Sequence, residues 1–195
     1  MKGTSSENEI QELKDITLAN KQFAEKKLIH LNDTQKSWRP AVDSWNLIEI
    51  LAHLNAYATF YNKTIQNRIA KTKFTRTKEQ FVSSPLGRSA WKSMKLGRAK
   101  NVKRKFKSPK NQNPTIDPSL VNGDEVNSFI DNQETMLGIL DLSETVNLKR
   151  VKIPISISRI VRLRLGDALM FVIYHNERHI QQAMNVMAHP KFPKK

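Results

Sequence analysis

The sequence predicts an all-α protein, a four-helix bundle that forms a single domain over residues 1–195. Four segments repeat apolar residues at spacings of three and four, which places those residues on one face of a helix. Only one segment, "VKIPISISRIVRL", has the β-branched composition and the proline typical of extended chain. A chain of 195 residues is also long enough to bury one hydrophobic core.

The first two predicted helices are recognised by their boundary residues. Ser6 and Glu9 have the spacing of a capping box, and a helix is predicted from there to about residue 34. Pro40 then interrupts the helical pattern. Asp43 or Ser44 is the expected N-cap of the second helix, which is predicted over about residues 44–69.

A long basic connecting segment is predicted at 71–118, between the second and third helices. Helical periodicity is lost there, and prolines and glycines recur, so we expect a loop with one short helix. Within it, residues 71–110 hold 14 Lys or Arg residues and one acid, Glu79. The basic character of the chain therefore belongs to this segment.

The second half of the chain contains the remaining two helices. The third helix is predicted from about residue 119 or 123 to 141, with an apolar face that includes Phe129 and Leu137. The β-branched segment is expected to cross in extended form. The last helix is predicted over about residues 165–188 and ends before Pro190.

Composition excludes several classes of function. The chain has no cysteine, which rules out disulfides, thiolate nucleophiles and cysteine-based zinc sites. Glycine motifs for dinucleotides or phosphates, and the serine-hydrolase elbow, are missing as well. We expect a cytoplasmic protein without membrane association, because the N-terminal residues lack an apolar leader core and no apolar run has membrane-spanning length.

Histidines form the most specific chemical pattern. His175 and His179, in "YHNERHIQQ", are four residues apart and share one helix face. Zinc or nickel needs three or four donors, and His53, on the flank of the buried stripe of the second helix, is a candidate third ligand. A lone His-x-x-x-His is often incidental and a single core-flanking histidine is usually a satisfied buried imidazole, so spacing alone leaves both interpretations open.

Three longer stretches resemble the DinB-like, or YfiT-like, family of metal-dependent enzymes. These are "WNLIEILAHL", "LRLGDALMFVIYHNERHIQQ" and the connecting stretch from Ser84 to Pro114. The resemblance implies a four-helix bundle that holds a divalent metal ion, commonly nickel or zinc, on three histidines. By position these are His53, His175 and His179.

The resemblance also implies an activity and its partners. We expect a metal-dependent hydrolase or thiol-dependent transferase whose metal ion keeps an open coordination position. The expected substrate is a small molecule, and in one interpretation of the basic segment that molecule is anionic. A low-molecular-weight thiol is the expected additional cofactor, and a homodimer the expected assembly. Tyr57 and Gln182 share helix faces with the ligands and are candidate supporting residues.

Two acids are candidate catalytic residues. Glu49 lies one turn before His53, and Asp167 lies two turns before His175. Hydrolysis would use such a carboxylate beside the metal. The alternative interpretation is that each acid simply stabilises the N-terminus of its helix through the helix dipole.

Two rival functions remain open. The basic residues that surround Phe106 in 71–110 could bind nucleic acid, although no known nucleic-acid motif accompanies them. A solvated loop that attracts an anionic substrate explains the same charge. The other rival is a non-catalytic bundle that acts as a protein-interaction module.

Overall fold

Four long helices form the body of the protein, as the sequence predicts. The computed structural model describes residues 4–97 and 107–194. Its helices are α1 (Ser6–Phe23, continued by a π-helical turn at Ala24–Leu28), α2 (Asp33–Ser37), α3 (Leu47–Ala70), α4 (Pro85–Met94), α5 (Glu125–Ser143) and α6 (Leu165–Met187). The four strands are β1 (Thr4–Ser5), β2 (Gln80–Phe81), β3 (Lys152–Ile155) and β4 (Ser158–Arg164), and single 3₁₀ turns occupy Lys110–Gln112 and Pro118–Leu120.

The hydrophobic core lies among α1, α3, α5 and α6. The apolar positions of α3 recur at helical spacing, and Ile50, Leu54 and Ile65 are buried against the other helices. The first three turns of α6 are buried on almost every side because α1, α3, α4 and β3 surround them. This helix is therefore central to the bundle. Among the described residues, no helix is both long and apolar enough to cross a bilayer.

Helix ends differ from the sequence expectation because local hydrogen bonds choose between neighbouring polar residues. Ser5, and not Ser6, caps α1 by accepting a hydrogen bond from the backbone N–H of Asn8. The Ser6 hydroxyl donates instead to the carbonyl of Lys78, so the capping box predicted for Ser6 and Glu9 is wrong. The regular α1 ends at Phe23 and its π-helical turn at Leu28, short of residue 34.

The N-cap of α3 is also a different residue from the one that the sequence predicts. Asn46 forms a capping box with Glu49, so the predicted caps Asp43 and Ser44 are wrong and the helix begins at Leu47. Both side chains satisfy backbone N–H groups of the first turn that have no partner inside the helix.

The described parts of the connecting segment contain regular secondary structure. Its predicted short helix is confirmed as α4, and β2 pairs antiparallel with β1. Residues 98–106 of the predicted loop lie outside the described residues. The predicted extended crossing segment is extended, but it folds back on itself as the antiparallel hairpin β3–β4, with Ile153 opposite Leu163.

The first turn of α4 packs directly on the first turn of α6. Asp167, which is fully buried, accepts hydrogen bonds on Oδ2 from the backbone N–H of Ser84 at 3.0 Å and from its hydroxyl at 2.8 Å. A Cβ atom at Gly87 would lie 2.1 Å from the Asp167 carboxylate carbon. Only glycine allows this close approach.

The last turn of α4 is held by a second polar contact. Lys95 donates from Nζ to Glu12 of α1 at 2.8 Å and to the Tyr174 hydroxyl of α6 at 2.7 Å. Both ends of α4 are therefore fixed to the long helices.

Replacing Gly87 tests the close contact between α4 and α6. We expect Gly87→Ala to lower the free energy of unfolding by about 1–3 kcal/mol, because the added methyl group overlaps Asp167. Gly138→Ala is the matched control: a Cβ there meets nothing within 4 Å, on an exposed position of α5. The free energy of unfolding of this control, measured with urea, should rise by about 0.5–1 kcal/mol. Equal gains in both variants would contradict the packing argument.

Candidate metal centre

Three histidines from two helices converge in the bundle interior. His53 of α3 meets His175 and His179 of α6, and one ring nitrogen from each lies within 4.8 Å of the others. The Nε2 atoms of His53 and His175 are 3.2 Å apart. His53 and His175 are buried, and His179 is half-buried. This is the group of three that the sequence predicts.

Two of the rings are oriented by acceptors on their outer side. His53 Nδ1 lies 2.5 Å from the carbonyl oxygen of Gln112, and His179 Nδ1 lies 2.9 Å from Gln182 Oε1. A carbonyl oxygen can only accept a hydrogen bond. In both histidines, therefore, Nδ1 carries the proton and Nε2 keeps its lone pair. Metal-binding histidines typically have this arrangement, in which an outer acceptor fixes the tautomer.

His175 has a different environment. Its Nδ1 is buried and has no hydrogen-bond partner among the described residues, while its Nε2 faces His53. Two nitrogens held about 2.1 Å from one tetrahedral ion lie about 3.4 Å apart, close to the distance between these two Nε2 atoms. The donor set and its spacing therefore fit a divalent ion that accepts imidazole nitrogen.

Burial keeps the cluster neutral. Desolvation lowers the pKa of His53 to about 4. It lowers the pKa of His179 to about 3, and the nearby His53 ring adds to the effect. The pKa of His175 is also lowered, first by desolvation and then by the two neighbouring rings. All three imidazoles are therefore neutral at pH 7, the protonation state in which they bind metal ions.

Aromatic rings enclose the histidines. The Trp45 ring lies 4.9 Å from His53 and 6.0 Å from His179, measured between ring centroids. Tyr57 lies 4.3 Å from His175, and Phe171 stacks on the same imidazole at 6.0 Å. These rings contribute to the burial of His53 and His175. Gln182 and Tyr57, the two supporting residues suggested by the sequence, both contact the histidines.

The two candidate acids have structural partners. Glu49 forms a two-point ion pair with Arg39, with both N–O distances at 2.6 Å, and caps α3 through Asn46. Asp167 accepts from Ser84, as described above. Neither carboxylate joins the histidine group among the described residues. Their catalytic role stays a prediction. Glu49 stabilises the first turn of its own helix, as the alternative interpretation expects, whereas Asp167 accepts its hydrogen bonds from Ser84, at the start of α4.

Sequence reasoning missed the supporting residues from the connecting segment. Gln112 contributes a backbone carbonyl, which any amino acid could provide, so no side-chain pattern indicates it. Ser108 lies beside it, with its hydroxyl 3.3 Å from His53 Nδ1 and 3.1 Å from the Gln112 carbonyl oxygen. The predicted nucleic-acid surface at 71–110 includes residues 98–106, which lie outside the described part, and it stays a prediction.

Comparison with known proteins agrees with the three-histidine geometry. The family model of the DinB superfamily matches residues 26–183, which include all three histidines and the connecting segment. The chain belongs to the DinB superfamily. Searches of curated proteins and of solved structures each return no match.

The lowered pKa of His53 predicts acid-sensitive folding of this DinB-superfamily protein in its metal-free form. An unfolded histidine binds a proton near pH 6.5, but the folded cluster resists protonation down to about pH 4. The contribution of His53 to the free energy of unfolding is therefore fully present above pH 6.5. It is lost as the pH falls from 6.5 to about 4, and the loss is about 3 kcal/mol for His53 alone. Urea unfolding with chelator at several pH values measures this loss. A weaker slope in His53→Asn would support the assignment, and an unchanged slope would contradict it.

Proposed function

We propose that this protein is a metal-dependent enzyme in which His53, His175 and His179 bind one divalent ion, nickel or zinc, through Nε2. The observation that carries the proposal is the convergence of three neutral imidazoles, two of which have their Nδ1–H donated to an outer acceptor. Without an ion, Nε2 of His175 would donate to Nε2 of His53 at 3.2 Å, and the buried Nδ1 of His175 would keep no hydrogen-bond partner among the described residues, which costs free energy.

Three protein ligands leave at least one coordination position for a small-molecule substrate. A bound divalent ion would supply a Lewis acid at that position. The carbonyl of Gln112 and the amide of Gln182 keep the imidazoles in the required tautomer. The rings of Trp45, Tyr57 and Phe171 lower the local dielectric, which strengthens every electrostatic interaction in the site.

Of the two reaction classes, the contacts favour thiol-dependent transfer. Hydrolysis would use a carboxylate beside the ion, but Glu49 is paired with Arg39 and Asp167 with Ser84. Transfer to a low-molecular-weight thiol would not need such a base, because a divalent ion held by the three histidines would lower the pKa of a bound thiol, which would lose its proton to water and supply a thiolate as the nucleophile. Assays of the metal-loaded protein on small electrophiles, with and without added thiol, distinguish the two classes.

Metal content tests the ligand assignment. We expect one divalent ion per chain in protein purified without a histidine tag, and loss of that ion in His53→Ala, His175→Ala and His179→Ala. His30→Ala is the matched control, since His30 is exposed and outside the cluster. Elemental analysis gives the stoichiometry. Wild-type protein that takes up no nickel or zinc on dialysis would refute the proposal.

Gln182 tests the role of the outer acceptors. Gln182→Leu should weaken metal affinity by about 10–100-fold, because His179 loses the partner that fixes its tautomer. Gln181→Leu removes the neighbouring amide, which bonds to Asn185 and not to a histidine. Competition with a metallochromic chelator measures both affinities. Equal affinities in the two variants would show that Gln182 does not support the site.

A further inference from the structure

An apolar cavity of about 230 Å³ lies beside the three-histidine centre. It is bounded by α3, α4, α6 and the hairpin β3–β4. The residues that line it are Tyr57, Tyr61, Leu86, Ala90, Ile155, Ser156, Ile157, Val161, Leu163 and Phe171. Among the described residues, no charged side chain lines the cavity. Its polar groups are Ser156 and the two tyrosine hydroxyls, and that of Tyr61 already accepts a hydrogen bond from the Ser156 backbone N–H.

The cavity and the histidine cluster share a wall. Tyr57 and Phe171 line the cavity, and both rings pack on His175, at 4.3 Å and 6.0 Å between centroids. A molecule in the cavity therefore lies one aromatic ring away from His175. Burial raises the pKa of Tyr57 to about 12, so this shared wall stays neutral at physiological pH.

The cavity opens to solvent between α4 and the hairpin. Leu86 and Ile157 both line it, yet they are 55% and 69% exposed. Large apolar side chains at such exposure on a rim are typical of a ligand entrance. The opening is held in shape because α4 is fixed at one end through Asp167 and at the other through Lys95.

The volume sets the size of an occupant. An apolar cavity of about 150 Å³ accepts benzene, which has six carbons. By the same ratio, the cavity here accommodates about nine carbon atoms, as one substituted aromatic ring or a medium-length alkyl chain. A charged group would lose its hydration without gaining a partner in this lining, so the part of a ligand that lies inside the cavity is expected to be uncharged.

We propose that this cavity binds the apolar part of the substrate and that the polar, reacting part of the same molecule reaches the three-histidine centre past the rings of Tyr57 and Phe171, which separate the two spaces. The substrate class is thus an amphipathic small molecule with an alkyl or aryl group of up to about nine carbons. The inference rests on the proposed metal-dependent function, which it extends from a reaction type to a substrate class.

Straight-chain alcohols test the cavity without any metal. Binding of 1-butanol through 1-decanol to metal-free protein, followed by NMR, should tighten by about fourfold for each added methylene and level off near nine carbons. Ala90→Phe fills the cavity and should abolish this binding. Ala70→Phe makes the same change at an exposed position outside the lining, and should preserve it. The proposal would be overturned if the affinity for alcohols did not depend on chain length, or if Ala90→Phe bound them as tightly as the wild-type protein does.

Paramagnetic relaxation tests whether a molecule in the cavity lies close to the three-histidine centre. The experiment uses wild-type protein, so it does not depend on whether Ala90→Phe folds. In wild-type protein loaded with Co²⁺, the protons of bound 1-octanol should relax faster than in the Zn²⁺ form, and unequally along the chain. His175→Ala should keep alcohol binding but lose the difference between the metals. If bound 1-octanol relaxed identically in the Co²⁺ and Zn²⁺ forms, the cavity would not lie close to the metal centre, and the inference would be overturned. Failure to take up Co²⁺ would instead contradict the proposed metal site, and it is distinguishable because the alcohol series requires no metal.

Discussion

The meeting of α3 and α6 at three desolvated imidazoles is the constraint on which the rest of the structure depends. A neutral imidazole is buried there without a cost in free energy only if each of its ring nitrogens has a hydrogen-bond partner or a ligand. The Nδ1 atoms of His53 and His179 have such partners in Gln112 and Gln182, and the Nδ1 atom of His175 has none among the described residues. The bundle therefore gives up some stability at its centre, as proteins commonly do at functional sites. The apolar packing of both helices on α1 and α5 compensates for this cost.

The connecting segment belongs to the site as much as the long helices do. Its C-terminal part places the Gln112 carbonyl on His53, and its helix α4 forms one wall of the apolar cavity. Asp167, two turns before His175, holds that helix through Ser84. A single helix, α6, thus provides two of the histidines and also the anchor for the segment that closes over them.

The sequence predicted the parts of this structure that depend on periodic burial. The long helices follow from apolar spacing, and the three histidines follow from the i, i+4 pair together with the family resemblance. Predictions failed where neighbouring polar residues compete for one backbone group, as Asn46 does with Asp43 and Ser44. They also failed to show that the extended segment is a hairpin, because strand pairing depends on distant residues such as Ile153 and Leu163. A backbone carbonyl such as that of Gln112 has no sequence signature at all.

The short helix α4 contributes cavity wall but no histidine. Leu86 and Ala90 face the cavity from a helix whose position depends mainly on Ser84, Gly87 and Lys95. Substitutions at the lining positions can therefore accumulate without disturbing either the anchoring contacts or the ligand-bearing helix. The shape of the cavity could therefore diverge through this ten-residue helix while the three histidines keep their positions on α3 and α6.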